Sequence, residues 1–148
     1  MKVLLQRMMI TDNQISALLL RVPVAVILMA HGSQKLFAWF GGYGLAGTGQ
    51  WMDSIGLSPG IVMAALAGSA EFFGGLALLL GLLTRPAALV SAFTMLIAIF
   101  SVHFEHGLFI SNNGYEFALA LFAATLSLVF SGAGAWSLDR VIHQRLTY

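Results

Sequence analysis

Glu71 is the residue around which the chemistry of this chain is best read. It lies alone, with no other charge, near the middle of an apolar run over residues 60–83, long enough at about 1.5 Å per residue to cross a bilayer. Ala64, Ala67, Gly68, Gly74 and Gly75 lie three, four or seven residues away, on or near its helical face. Small residues there let a neighbouring helix approach, so the carboxylate is expected to point into protein. An uncompensated charge at that depth costs about 3 kcal/mol or more, so Glu71 needs a partner or a proton. His31 and Lys35, four apart, share a face of an earlier apolar stretch. His31 lies about 12 Å and Glu71 about 16 Å from the same membrane boundary. A His31–Glu71 contact is therefore expected, able to pass a proton or hydrogen-bond a polar ligand, or else simply to fix helix packing. Lys35 reads as an anchor reaching to the interface.

Two further groups are weaker. His103, Glu105 and His106 cluster after a later apolar stretch, with His103 the one expected to turn inward. These are possible ligand types for zinc, copper or iron, but His-x-Glu-His matches no metal motif, and no metal is assigned. Asn113-Gly114-Tyr115-Glu116 has the form of a capping box, Glu116 reaching back to Asn113. Glu116 would also put a second carboxylate at the outer mouth. Gly42-Tyr43-Gly44-Leu45-Ala46-Gly47 fits G-x-G-x-x-G literally, but the dinucleotide motif needs a βαβ unit, and this sequence follows a membrane helix. A tight re-entrant or lid-like loop is expected there instead.

The elements that must hold these groups follow from composition. Of 148 residues, 59% are hydrophobic and 9% charged, against about a quarter charged in soluble domains. Mean hydropathy is +0.88, which makes this an integral membrane protein. A net charge of +1 gives no reason to invoke nucleic acid, and the absence of cysteine removes disulfide exchange and thiolate-held iron–sulfur clusters from the chain's own repertoire. Four spans are expected, over residues 15–39, 60–83, 86–102 and 115–131. The first is read as an uncleaved span, not a signal peptide, with Arg21 snorkelling near one end. Ser58-Pro59 reads as N-cap and first helical residue of the second span. A short amphipathic helix after Ser137 is expected at the membrane surface. The fold class is all-α: a four-transmembrane-helix bundle with a short C-terminal interfacial helix, residues 1–148 forming a single domain. With four spans, Lys2, Arg7, Arg21, Arg85, Arg140 and Arg145 share one side, and Lys35, Asp53 and Glu105 lie opposite. The positive-inside rule puts both termini in the cytoplasm.

Taken together, the chain resembles the DoxX family of small four-helix membrane proteins of the bacterial inner membrane. The resemblance is carried by His31-Gly32-x-x-Lys35-Leu36-Phe37, Trp39-Phe40-Gly41-Gly42, Gly44-Leu45-Ala46-Gly47-Thr48 and Glu71-x-x-Gly74-Gly75. It continues in Gly81-Leu82-x-Thr84-Arg85, His103, Asn113-Gly114-x-Glu116 and the ending Gly132-x-Gly134…Ser137-Leu138-Asp139, covering about residues 18–140. Related proteins include a subunit associated with thiosulfate:quinone oxidoreduction and a member proposed to join a membrane oxidoreductase complex. The resemblance implies a four-helix inner-membrane bundle, and the residues read above are expected to give it an outward-opening polar pocket of His31, Lys35, Glu71, His103 and Glu116. A quinone-like molecule would dock there, His31 and Glu71 acting on its oxygens, with electrons from a partner oxidoreductase protein. A non-catalytic scaffold or assembly factor is the alternative, and a solute transporter, needing a homo-oligomer to enclose enough room, is a third.

Overall fold

In the computed structural model, residue 6 and residues 8–147 are described; Lys2 and Arg7 lie outside the described residues. Every regular element among them is helical. Helix α1 is Ile15–Phe37, α2 is Gly44–Ser54 and α3 is Gly60–Leu80. Helix α4, Thr84–Ala98, runs on through a π-helical turn, Ile99–His103, and a 3-10 turn, Phe104–His106. Helix α5 is Glu116–Ser131 and α6 is Leu138–Thr147. Three stretches, Ile15–Phe37, Gly60–Leu80 and Thr84–His106, are long and apolar enough to cross a membrane.

Helices α1 and α3 pack most extensively, and glycine is the reason. A Cβ on Gly32 would stand 2.5 Å from the backbone nitrogen of Phe72, and one on Gly75 would stand 2.9 Å from the Ala25 carbonyl oxygen. The buried residues of α3 (Gly60, Ala64, Gly68, Glu71, Gly75 and Leu78) form one stripe, which meets α2 at Gly60 and α1 at Gly68 and Gly75. Gly32→Val is expected to force the two backbones apart, lowering the detergent melting temperature by several degrees, whereas Ala30→Val, off the seam, leaves it nearly unchanged. Helices α4 and α5 pack against each other, and the core closes where Val24, Leu28, Leu78, Met95, Leu121 and Leu128 meet. Leu66, Phe73, Phe93, Phe100 and Phe130 point outward and exposed, as lipid-facing residues do. Trp39, Phe40, Tyr43 and Trp51 are also exposed, near the ends of α1 and α2, where an aromatic belt belongs.

Three local expectations are corrected. The glycine-rich segment is not the expected re-entrant or lid-like loop: Gly44–Ser54 is helical and packs on α3, because Gly49 admits the chain at Ile61, where a Cβ would come within 2.9 Å. Ser58 does not cap α3. Asp53 Oδ1 accepts hydrogen bonds from the Ser58 hydroxyl (2.7 Å) and the Gly60 amide (2.8 Å), so the capping oxygen comes from α2. These bonds hold the Asp53 carboxyl below the usual aspartate range, the Ser58 bond contributing most. The carboxylate's contribution is complete above the unfolded aspartate range and is lost as the pH falls through its lowered folded value. Asp53 should therefore titrate below the usual aspartate range by NMR, and Ser58→Ala should raise it part of the way back, the Gly60 amide bond remaining.

Arg21 is the third correction. It does not snorkel but is fully buried, at 0% exposure. Its guanidinium donates to the carbonyls of Leu78 and Leu79, in the last turn of α3, and to those of Ala133, Ala135 and Trp136 in the α5–α6 connection. Those α3 carbonyls lie at the negative end of the helix dipole, where a cation is favoured. Beside it, Asp139 accepts from the amides of Leu83 (2.6 Å) and Thr84 (2.9 Å), so α6 caps the start of α4, two residues earlier than the expected Pro86. Asp139→Ala should cost about 1–2 kcal/mol, read as a lower melting temperature in detergent.

Candidate functional site

A cavity of about 250 Å³ lies between α1, α3, α4 and α5, beneath the connection over residues 107–115. Leu28, Met95, Phe117 and Leu121 give it apolar walls, and His31, Lys35, Glu71 and His103 supply its ionisable groups. The polar groups come from three helices, each set by a local feature.

The α1–α3 seam brings Lys35 to Glu71. Gly68, one turn before Glu71, leaves room for the lysine stem, since a Cβ there would stand 3.2 Å from Lys35 Cβ and 2.8 Å from Leu36 Cγ. The Lys35 ammonium Nζ donates to Glu71 Oε2 at 2.6 Å. The Glu71 side chain is 5% exposed and that of Lys35 23%, so the pair sits at the edge between buried protein and cavity. Among the described residues only Oε2 of the carboxylate has a protein donor; Oε1 has none. Each charge compensates the other, which is how an ionisable residue persists at this depth.

The partner of Glu71 is thus Lys35 and not His31, and Lys35 is no interfacial anchor. Spacing put both α1 side chains on the right face, but the glycine seam carries the longer lysine to the carboxylate. His31 lines the same cavity one turn along, its ring leaning on Phe117 with centroids 6.0 Å apart and a tilt of 46°.

His103 enters from the π-helical turn that ends α4. Its Nδ1 lies 2.8 Å from the Asn113 carbonyl oxygen. A carbonyl only accepts, so Nδ1 carries the proton and donates, leaving Nε2 as the ring's other nitrogen. The acceptor is positioned by a tightly folded connection, in which Tyr115 N–H donates to Gly107 O and Glu116 N–H to Leu108 O. A Cβ on Gly114 would stand 2.4 Å from the Gly107 oxygen.

Glu116 does not line this cavity and does not form a capping box. Asn113 is left-handed at φ 62°, α5 begins at Glu116, and Oε1 of that glutamate accepts instead from the Ile110 amide at 2.6 Å. Its role is to brace the connection above the cavity. Glu105 and His106 are also turned elsewhere, lining a separate cavity of about 420 Å³ beside Trp51 and Phe100. Among the described residues no three His, Asp or Glu side chains converge as a metal site would require.

Sequence reasoning missed the apolar half of the cavity, which only the packing of α4 on α5 defines. It also misread Arg21. A signal for Arg21 was present: with Ala17, Val24, Ala25 and Leu28 it lies on one helical stripe at spacings of three and four, and that stripe is buried.

Comparisons with known proteins agree with this architecture. The chain is 34% identical over 135 residues to the inner membrane protein YqjF of Escherichia coli (strain K12), covering 90% of this chain and 96% of that protein. It is 33% identical over 126 residues to a Bacillus subtilis (strain 168) protein named "Putative oxidoreductase CatD", covering 85% and 86%. It is 29% identical over 151 residues to the membrane protein Rv3486 of Mycobacterium tuberculosis, covering 95% and 90%. No solved structure matches. These relatives, with the apolar helices, make the chain a multi-pass protein of the bacterial inner membrane in contact with the lipid bilayer. The DoxX family model matches residues 16–104, a segment that contains His31, Lys35, Glu71 and His103, and the chain belongs to the DoxX family.

Proposed function

We propose that this DoxX protein is a single-domain, four-span bundle whose cavity receives the polar head of a lipid-soluble, quinone-like molecule, as an accessory subunit of a membrane oxidoreductase. The observation that carries the reading is the Lys35–Glu71 pair, a charged couple at the wall of a largely apolar cavity between membrane helices. Groups of this kind at membrane depth are functional candidates by default. A volume of about 250 Å³ suits a single-ring head group, with an apolar tail left to run outward between helices. The name of the Bacillus relative supports a redox setting. In this reading electrons come from a partner protein, the chain having no cysteine for thiol redox chemistry or a thiolate-held cluster. His31, Lys35, Glu71 and His103 bind the head, and Glu116 shapes the mouth through the connection it braces.

The fourth span is α5, whose 16 residues rise about 24 Å antiparallel to α4. Arg21, Arg85 and Arg140 all bond to backbone or side-chain oxygens at one end of the bundle, which supports placing that end and both termini in the cytoplasm. The cavity then opens outward.

The test is to purify the protein in mild detergent, extract co-purifying small molecules for mass spectrometry and record an optical redox spectrum, with Glu71→Gln and His31→Ala in parallel. A stoichiometric quinone in the wild type, depleted in both variants, is expected. An empty, well-folded wild type would reject this reading in favour of a scaffold. The observation that favours that second reading is that the ion pair ties together the two most closely packed helices.

A further inference from the structure

The cavity's hydrogen-bonding inventory distinguishes between the two redox forms of such a ligand. Two of its groups offer acceptors. Among the described residues Glu71 Oε1 has no protein donor, while Oε2 is taken by Lys35. His103 donates from Nδ1 to the Asn113 carbonyl, so that the Nδ1–H tautomer presents the Nε2 lone pair. Lys35 contributes donors, because one of its three ammonium hydrogens is used by Glu71 and the others are not. His31, without a protein hydrogen-bond partner, takes either tautomer.

A carbonyl oxygen entering this cavity can accept from Lys35 but offers nothing to Glu71 Oε1 or His103 Nε2. A hydroxyl can accept from Lys35 and donate to one of these acceptors. A buried acceptor left without a donor on ligand binding loses its water and gains nothing in return, and sites built around such groups discriminate strongly against analogues that cannot donate. We infer that the cavity prefers a hydroxyl-bearing head, a hydroquinone over the corresponding quinone, and that His103, oriented by Asn113, is a residue setting that preference. The inference rests on the ligand site proposed above.

The test uses the full-length protein in lipid nanodiscs, titrated anaerobically with decylubiquinol and, separately, with decylubiquinone, binding being followed by tryptophan fluorescence. The quinol is expected to bind at least tenfold more tightly, which raises the midpoint of the bound couple by about 30 mV. His103→Phe should reduce the preference to threefold or less, the quinol losing more affinity than the quinone. Nitrogen-15 NMR of histidine-labelled wild type, the His103 signals assigned by their loss in that variant, should show Nδ1 protonated and Nε2 bare. Equal affinities, or tighter quinone, would overturn the preference while the ligand site stands. Binding of neither form would remove the site as well. A ring protonated at Nε2 and bare at Nδ1 would overturn the role of His103 whatever the ligand.

Discussion

Lys35→Met is expected to destabilise the protein by about 3–5 kcal/mol, because it leaves Glu71 with a buried charge and no partner. The loss is larger than the net worth of the ion pair itself. Forming the pair costs much of its Coulombic gain in desolvation, so an intact pair and an apolar substitute of similar volume differ little. Lys35→Met combined with Glu71→Leu should therefore recover most of the loss, while Glu71→Leu alone strands the lysine less severely, since its side chain is 23% exposed and can turn toward water. Thermal unfolding of the four forms in one detergent gives the cycle. A double variant no more stable than Lys35→Met would show that the pair is not the source of the effect. The same double variant separates function from stability: restored folding without ligand binding is the expected outcome.

Arg21→Met should be nearly as damaging, at about 3 kcal/mol or more, by a different route. Five backbone carbonyls lose a donor at once, though that of Leu78 keeps the Gly81 amide, and Met offers nothing in its place. Arg21→Lys is expected to rescue little of this. A guanidinium addresses the end of α3 and the 133–136 connection from one planar fork, and an ammonium with three donors on a point cannot span both. The readout that isolates this role is limited proteolysis: α6 should become cleavable in Arg21→Met under conditions where the wild type resists, with the α1–α3 seam intact. A wild-type-like digest would refute the assignment.

What the sequence revealed and what it concealed divide along physical lines. The helices were legible because bilayer thickness imposes a length and a hydropathy that any window detects, and Glu71 was legible because a lone carboxylate at that depth has few explanations. The choice of Lys35 over His31 was not. Both lie on one face of α1, and the decision rests on fractions of an ångström allowed by Gly32 and Gly68, a property of two helices together. Glu116 shows the converse failure, since a valid local pattern, the capping box, lost to a nonlocal acceptor role toward Ile110 that closes the connection. Asp53 and Asp139 repeat it, each capping a helix other than its own.

The bonds of Arg21 also carry a consequence for biosynthesis. The arginine is made 112 residues before its acceptor Ala133, and 115 before Trp136. At about 5–20 residues per second, translation leaves roughly 6–20 s between the two events. During that interval α1 is already in the membrane, with a cation that has only the end of α3 to meet, and until α3 exists not even that. The early chain is therefore expected to keep Arg21 near water or lipid headgroups and to draw it inward only when the 133–136 segment arrives. A segment made long after the first helix is the one that lets that helix settle at its final depth.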